Sequence, residues 1–169
     1  MTPEYLIKKL NLEPLKREGG YFYQTYRSSQ TIKKEFFKNR YNHDKCLKTA
    51  IYYLLTPDTK SRLHRLKTDE IYHFYSGDPV LMLLIYPDDR LEKIILGNRI
   101  DKNEIPQFRV PADTWQGSLL LPDGRYALMG TTMSPGFDFS DYEEPDRNRL
   151  LKKFPAEKEL ITKLTADAD

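Results

Sequence analysis

Short apolar segments recur along the middle of this 169-residue chain, and turn-forming pairs of residues separate them. Pairs such as Pro57-Asp58, Gly97-Asn98 and Asp123-Gly124 have backbone preferences that suit tight reversals. No helix-length segment lies between the apolar runs, so a parallel sheet built from β-α-β units is excluded. The pattern predicts an all-β sandwich or barrel. The runs are Tyr21 to Arg27, Leu47 to Leu55, Ile71 to Tyr75, Val80 to Tyr86, Leu91 to Leu96, Phe108 to Val110, Trp115 to Leu121 and Tyr126 to Met133.

The two ends of the chain have helical rather than strand-like patterns. Thr2 can cap a short helix with Pro3 at its first position, and two short amphipathic helices follow position 139. We therefore expect a single domain over residues 1–169, with a barrel core at about 19–139 and a helical tail at about 140–165. The apolar residues that define the helices are Leu6, Ile7, Leu10, Leu150, Leu151, Phe154, Leu160, Ile161 and Leu164.

The composition excludes several classes of protein. With 39% apolar residues the chain is too hydrophobic to be disordered, and a formal charge of +2 does not by itself indicate nucleic-acid binding. No apolar run approaches the length of about 20 residues that crosses a bilayer. The single cysteine, Cys46, excludes an intrachain disulfide. We expect a cytoplasmic protein that binds neither membranes nor nucleic acids.

The segment from Arg62 to Asp78 places chemically active side chains on common strand faces. Side chains of the same parity point to the same side of a strand, so Arg62 should share a face with His64. By the same rule, Glu70 should share a face with Tyr72. A second strand pair, at Pro106 to Leu121, can bring Gln116 to the same cavity.

These residues resemble the cupin superfamily. Glu70 and Gly77, preceded by His64, are similar to the first cupin motif, and Pro111, Asp113 and Gln116 match the second in degenerate form. The segments EGGYFYQTYRS, SRLHRLKTDEIYHFYSGDP, VPADTWQ and PGFDFSDYE together resemble a small, uncharacterised cupin family that includes a yeast protein of unknown function. The resemblance covers almost the whole chain. It implies an RmlC-like double-stranded β-helix, or jelly roll, that assembles as a homodimer and is related in fold to dTDP-sugar 3,5-epimerases and germin-like storage proteins.

The resemblance also identifies where a metal would be held. A metal-binding cupin supplies three histidines and a glutamate, and the corresponding positions here are Arg62, His64, Glu70 and Gln116. A guanidinium does not ligate a cation, and a glutamine oxygen is a weak neutral donor. His64, Glu70 and Gln116 therefore remain as candidates for a weak divalent-metal site. No cofactor is otherwise indicated.

Without a metal, the same positions suit a small polar or carbonyl-containing ligand. Arg62 and Gln116 would bind its polar groups, while His64 oriented by Glu70 would act as a general base that removes a proton next to a carbonyl. The acid on the opposite face would be Tyr72, or Tyr21 or Tyr23 from the first strand. This is the chemistry of an isomerase or epimerase, assigned by analogy of fold.

Two other functions remain open for this sequence. A noncatalytic cupin that binds a small ligand needs only shape and hydrogen bonds, and the missing metal histidines favour it. A storage or assembly protein would show neither a ligand nor any effect of changing His64. For the homodimer, we expect the tyrosine-rich strand Tyr21 to Arg27 to pair with a partner sheet.

Overall fold

Two antiparallel sheets face each other across an apolar interior in this computed structural model, which describes residues 1–38 and 40–165. Asn39 and residues 166–169 of the predicted domain lie outside the described residues. The strands are β1 (Glu13–Pro14), β2 (Tyr21–Arg27), β3 (Thr31–Ile32), β4 (Lys45–Cys46), β5 (Thr49–Leu55), β6 (Ser61–His64), β7 (Glu70–Gly77), β8 (Val80–Ile85), β9 (Leu91–Leu96), β10 (Gln107–Val110), β11 (Trp115–Leu120) and β12 (Ala127–Met133). The α-helices are α1 (Pro3–Lys9), α2 (Arg147–Lys153) and α3 (Lys158–Leu164). Short 3-10 helices occupy Lys34–Phe37, Ile100–Lys102, Phe139–Asp141 and Pro155–Glu157.

The strand order is that of a jelly roll. In the described ranges, one sheet has the order β1-β2-β5-β12-β7-β10 and the other has the order β6-β11-β8-β9. Strands β3 and β4 form a separate small hairpin within the segment between β2 and β5. The predicted all-β fold is therefore confirmed, and the helices at both ends are confirmed with it.

Helices cover the outer faces of both sheets, which explains why some strands are apolar on both sides. In β8, Met82 and Leu84 belong to the interior core, whereas Leu83 and Ile85 pack in a second cluster with residues of α2 and α3. A strand that is buried on both faces has no polar side, which is why the sequence of β8 is a continuous run of apolar residues. Helix α1, capped by Thr2, packs in the same way on one end of the larger sheet.

A bulge in β6 changes which of its side chains face the interior. Gln116 of β11 lies opposite His64, but Ser118, two residues further along β11, lies opposite Ser61. Three residue steps on β6 therefore match two on β11, so Ser61 and His64 both point inward despite their opposite parity. This bulge determines the composition of the candidate site.

The tail reaches back to the barrel through a buried ion pair. Lys45 in β4 contacts Asp141, and both side chains are buried. This contact holds the segment around Phe139–Asp141 against the β3–β4 hairpin. None of the described helices is both long enough and apolar enough to span a bilayer.

Candidate functional site

A cavity of about 290 Å³ opens on the inner face of the larger sheet, where β2 and β12 end and β5 and β7 begin. Its walls are mostly apolar and aromatic, and its charged lining residues are Arg27 and three carboxyl groups, Glu18, Glu70 and Asp138. The other lining residues are Leu15, Phe22, Gln24, Thr49, Ile51, Leu66, Thr131, Met133, Phe137 and Phe139. The volume is close to the lower end of the range for small-molecule sites.

His64, Glu70 and Gln116 meet beneath this cavity. His64 and Gln116 are opposite each other in the register of β6 and β11. Gln116 Nε2 donates a hydrogen bond of 2.8 Å to Glu70 Oε2. All three side chains are almost completely buried. The structure therefore brings together three residues that the sequence placed in one cavity.

The imidazole of His64 is held in one tautomer. Its Nδ1 lies 2.7 Å from the backbone carbonyl of Arg62, and a carbonyl can only accept a hydrogen bond, so Nδ1 carries the proton. Nε2 then carries the lone pair, and it is fully buried without a hydrogen-bond partner among the described residues. Burial lowers the pKa of His64, which favours the neutral ring at neutral pH. The site thus contains a neutral imidazole with an available acceptor nitrogen.

Glu18, which the sequence interpretation did not select, lies between His64 and the cavity. Its Oε2 is 3.9 Å from His64 Nε2, and its Oε1 accepts a hydrogen bond of 2.9 Å from Ser61 Oγ. Burial raises the pKa of Glu18 to about 7. Burial and then the nearby Glu18 also raise the pKa of Glu70. Both carboxyl groups are therefore easier to protonate than an exposed glutamate.

Tyr72 occupies the predicted face of β7. It is buried next to Glu70 in the interior core, as strand alternation requires. Burial and then the charge of Glu70 raise the pKa of Tyr72 well above its usual range. The phenol consequently remains protonated, so it can donate or accept a hydrogen bond or act as a weak acid, but it cannot act as a phenolate base.

Arg62 is not part of the cavity, so the expected pairing of Arg62 with His64 on one face is wrong. The bulge in β6 turns Ser61 inward in its place, and the Arg62 guanidinium donates instead to the backbone carbonyl of Arg17, at 3.3 Å on an exposed surface. Strand parity alone could not reveal this, because the bulge adds one residue to β6.

Tyr21 and Tyr23 also lie away from the cavity, so their expected place in the site is wrong. Tyr21 packs beneath α1 on the outer face of the sheet, and Tyr23 is 44% exposed. Phe22 and Gln24, with the opposite parity, line the cavity. Both faces of β2 carry aromatic residues, so alternation did not indicate which face was interior.

The donor set does not fit the metal centre of a metal-binding cupin. That centre uses three imidazoles, but only His64 supplies one here, and Arg62 is turned away. His73 lies on the outer face and contacts Thr132 Oγ1 at 3.0 Å. In the part of the chain that the structure describes, no group of three His, Cys, Asp or Glu side chains is arranged to hold a metal ion.

Comparisons with known proteins agree with the fold and the sequence resemblance. The family described as Cupin_5, "Cupin superfamily (DUF985)", matches residues 4–144. The chain is 32% identical over 134 residues to the uncharacterized protein YML079W of Saccharomyces cerevisiae, which covers 75% of this chain and 67% of the yeast protein.

Two solved structures superpose over nearly the whole chain. A hypothetical protein from Leishmania major has a TM-score of 0.86 and 30% identity, covering 99% of this chain and 100% of that one. Protein SO0799 from Shewanella oneidensis has a TM-score of 0.86 and 32% identity, covering 99% of each chain. The predicted resemblance to the small cupin family is thereby confirmed.

Proposed function

The chain belongs to Cupin_5, a cupin family of unknown function, and we propose that it is an isomerase or epimerase acting on a small, sugar-like carbonyl compound. In this proposal the cavity above Glu18 and Glu70 holds the compound. A proton is removed from the carbon next to the carbonyl and later returned, with His64 as the basic group of the site. The reaction needs no other reactant, because the proton is the only group that moves.

One observation carries this proposal: the buried Nε2 of His64 has an available lone pair beside a carboxyl group that lines the cavity. A general base must be in its unprotonated form and within reach of the proton that it accepts, directly or through one intervening group. Burial keeps the imidazole neutral, since it lowers the pKa of His64. In this proposal the hydrogen-bond donors for the carbonyl oxygen are Tyr72, which keeps its proton, and Glu70 in its protonated form.

Deuterium exchange tests the proposal. The full chain is incubated in D2O with dihydroxyacetone, fructose, fructose 6-phosphate and nucleotide-linked 4-keto sugars, and mass spectrometry follows deuterium incorporation next to the carbonyl. We expect exchange of at least one of these compounds above the buffer rate, and a loss of about 100-fold in His64→Gln. The matched control is Glu159→Gln, because Glu159 is an exposed residue that pairs with Lys163 and does not line the cavity. Equal exchange in wild type and His64→Gln, or none in wild type, would reject the proposal.

A second candidate function is that of a noncatalytic binder of a small polar ligand. It is favoured by Gln116 Oε1, a buried acceptor that, like His64 Nε2, has no partner among the described residues. Two unsatisfied acceptors can bind hydroxyl groups of a ligand without any reaction. A retained small molecule in native mass spectrometry, together with no deuterium exchange, would select this function over the isomerase.

A further inference from the structure

We propose that Glu18 is the residue that exchanges a proton with the bound compound, and that His64 acts through it. This inference rests on the proposed function, which needs a proton acceptor but does not identify the group that meets the ligand. Glu18, Glu70 and Asp138 are the carboxyl groups that line the described cavity, and Glu18 is the one whose side chain forms a close pair with His64.

The backbone around Glu18 is held by two glycines with positive φ. Gly19 has a φ of 99° and Gly20 a φ of 69°, conformations that other residues rarely adopt. A Cβ on Gly19 would lie 2.2 Å from the carbonyl oxygen of Lys60, so no side chain fits there. Hydrogen bonds fix the segment further, because Arg62 N donates to Glu18 O at 2.7 Å and Tyr53 Oη donates to Gly19 O at 2.9 Å.

The two oxygens of the Glu18 side chain have different surroundings. Oε1 accepts the hydrogen bond of Ser61 Oγ, whereas Oε2 lies 3.9 Å from the lone pair on His64 Nε2. A hydrogen bond needs about 2.6–3.2 Å between heavy atoms, and such bonds are often long before a ligand binds. A small rotation of the Glu18 side chain would therefore place a protonated Oε2 in contact with the imidazole.

The electrostatic surroundings allow Glu18 to exist in both protonation states near neutral pH. Burial has the largest effect and raises its pKa to about 7, while the Ser61 hydrogen bond acts in the opposite direction. Burial lowers the pKa of His64, so the imidazole is neutral and its Nε2 lone pair is available to accept a hydrogen bond from protonated Glu18. The other titratable groups that sense the charge of Glu18 are Tyr53, Glu70, Tyr72 and Tyr142.

The proposed step balances without an additional reactant. The C–H bond next to the carbonyl breaks, its proton goes to Glu18 Oε2, and its electron pair forms the C=C bond of an enolate. Burial raises the pKa of Glu70, and in its protonated form Glu70 would donate a hydrogen bond to the enolate oxygen. The new O–H of Glu18 is shared with His64 Nε2, so His64 remains the basic group but is reached through Glu18. Delivery of this proton from Glu18 to the former carbonyl carbon, while the hydroxyl proton of the neighbouring carbon passes to the former carbonyl oxygen, completes the isomerisation; return to the original carbon gives only exchange with solvent.

Carboxyl labelling tests this assignment without knowledge of the substrate. A neutral diazoacetamide alkylates protonated carboxyl groups: the acid proton moves to the diazo carbon, the carboxylate attacks that carbon and N2 leaves. The full chain is treated between pH 5 and pH 9, and peptide mass spectrometry measures the labelling rate at each glutamate. We expect Glu18 to be labelled well above the surface glutamates at pH 7, with a rate that falls about tenfold per pH unit above that point.

Four variants test whether the labelling of Glu18 depends on its own carboxyl group and its neighbours, and not on a general change in folding. Glu18→Gln should abolish the label at this position, and Glu159→Gln should leave Glu18 labelling unchanged. His64→Gln should move the midpoint of the Glu18 pH profile, which a residue with a purely structural role would not do. Ser61→Ala should move that midpoint upward, because the lost hydrogen bond stabilised the carboxylate. Labelling of Glu18 no faster than Glu159, or a midpoint unaffected by both variants, would overturn the inference.

The labelling result and the exchange result are separable. If Glu18 is labelled as expected but no compound exchanges deuterium, the isomerase proposal fails, while Glu18 is still shown to be a readily protonated carboxyl group of the cavity. If exchange occurs and is lost in His64→Gln but survives in Glu18→Gln, the isomerase proposal stands and the assignment of Glu18 fails.

Discussion

The ring of Tyr142 stacks on the imidazole of His64, with ring centroids 5.0 Å apart and planes inclined by 15°. Tyr142 Oη also lies 3.4 Å from the backbone carbonyl of Arg17, next to Glu18, and the Arg17 guanidinium lies over the same ring. A single residue after β12 therefore contacts both His64 and the segment that carries Glu18.

Tyr142→Ala should destabilise the fold by about 3 kcal/mol, because it removes a large buried ring and leaves a cavity. Exposing the imidazole to solvent should also raise the pKa of His64 toward its ordinary value. Chemical denaturation measures the first effect and NMR titration of His64 measures the second. Tyr142→Phe is the control, since it keeps the stacked ring and loses only a long hydrogen bond. An unchanged His64 titration in Tyr142→Ala would contradict the role given to the stack.

Glu18→Gln should change the pH dependence of stability. The folded-state pKa of Glu18, about 7, exceeds the ordinary value of 4.5, so the folded state holds its proton more tightly. The stability contributed by this proton is present below pH 4.5 and is lost as pH rises toward and through 7. Between pH 4.5 and pH 8 the variant should gain about 3 kcal/mol relative to wild type.

Urea denaturation of both proteins across this pH range measures that difference. His64 is present in both proteins, so the opposite pH dependence expected from its lowered pKa largely cancels in the comparison. A constant difference between the two proteins at all pH values would show that folding does not raise the pKa of Glu18.

Gly19→Ala should destabilise the chain by about 1–3 kcal/mol, since alanine is strained at a φ of 99° and its Cβ would overlap the carbonyl oxygen of Lys60. The displaced backbone should also reduce labelling of Glu18. Gly124→Ala is the comparison, because the closest atom to its added Cβ is 3.0 Å away and its φ is not positive. Similar losses of stability in the two variants would count against a special role for Gly19.

Metal analysis of tag-free protein should find no stoichiometric metal that depends on His64, because the donor set lacks two of the three imidazoles of a metal-binding cupin. Plasma mass spectrometry of wild type and His64→Ala makes this comparison. Near-stoichiometric metal in wild type that disappears in the variant would show that His64, Glu70 and Gln116 form a working site.

We expect a homodimer formed through the edge of β2. Strand β1 pairs with β2 only at Tyr21 and Phe22, so among the described strands the rest of this edge has no partner. Replacing the exposed Tyr23 and Tyr26 with lysine should weaken association, since lysine on an edge strand opposes pairing. Sedimentation at micromolar concentration should show a dimer for wild type and for the control Phe36→Lys, and monomer for the double variant. A monomeric wild type would refute the homodimer.

The strands were predictable where hydrophobic runs and turn residues both marked them. Strand β2 matches the segment expected from alternation, and β9 matches the run from Leu91 to Leu96. The helices were predictable from a capping residue, as at Thr2, and from apolar spacing. These features depend on local sequence, which is why they could be derived without the tertiary structure.

The site was only partly predictable. The residues that the sequence placed wrongly or missed are those whose positions depend on tertiary structure. The bulge in β6 turns Ser61, instead of Arg62, toward the interior. It arises from the pairing of β6 with β11, so the alternation of residues within β6 could not predict it. Tyr21 was misplaced because α1 covers the outer face of β2 and makes it as apolar as the inner one. Glu18 lies in a turn, where strand alternation gives no information, although the two glycines that follow it indicate a constrained backbone.

The contact between Tyr142 and Arg17 joins positions 125 residues apart in the sequence. The chain therefore has to close almost completely before His64 acquires its neighbours, and no short fragment contains the whole site. The Tyr142 and His64 rings can stack only when nearly the whole molecule has assembled. A ligand bound in this cavity would therefore stabilise the full chain against global unfolding, and not only one loop. Removing the segment around Glu18 or the segment around Tyr142 should therefore abolish binding even where the remaining strands stay paired.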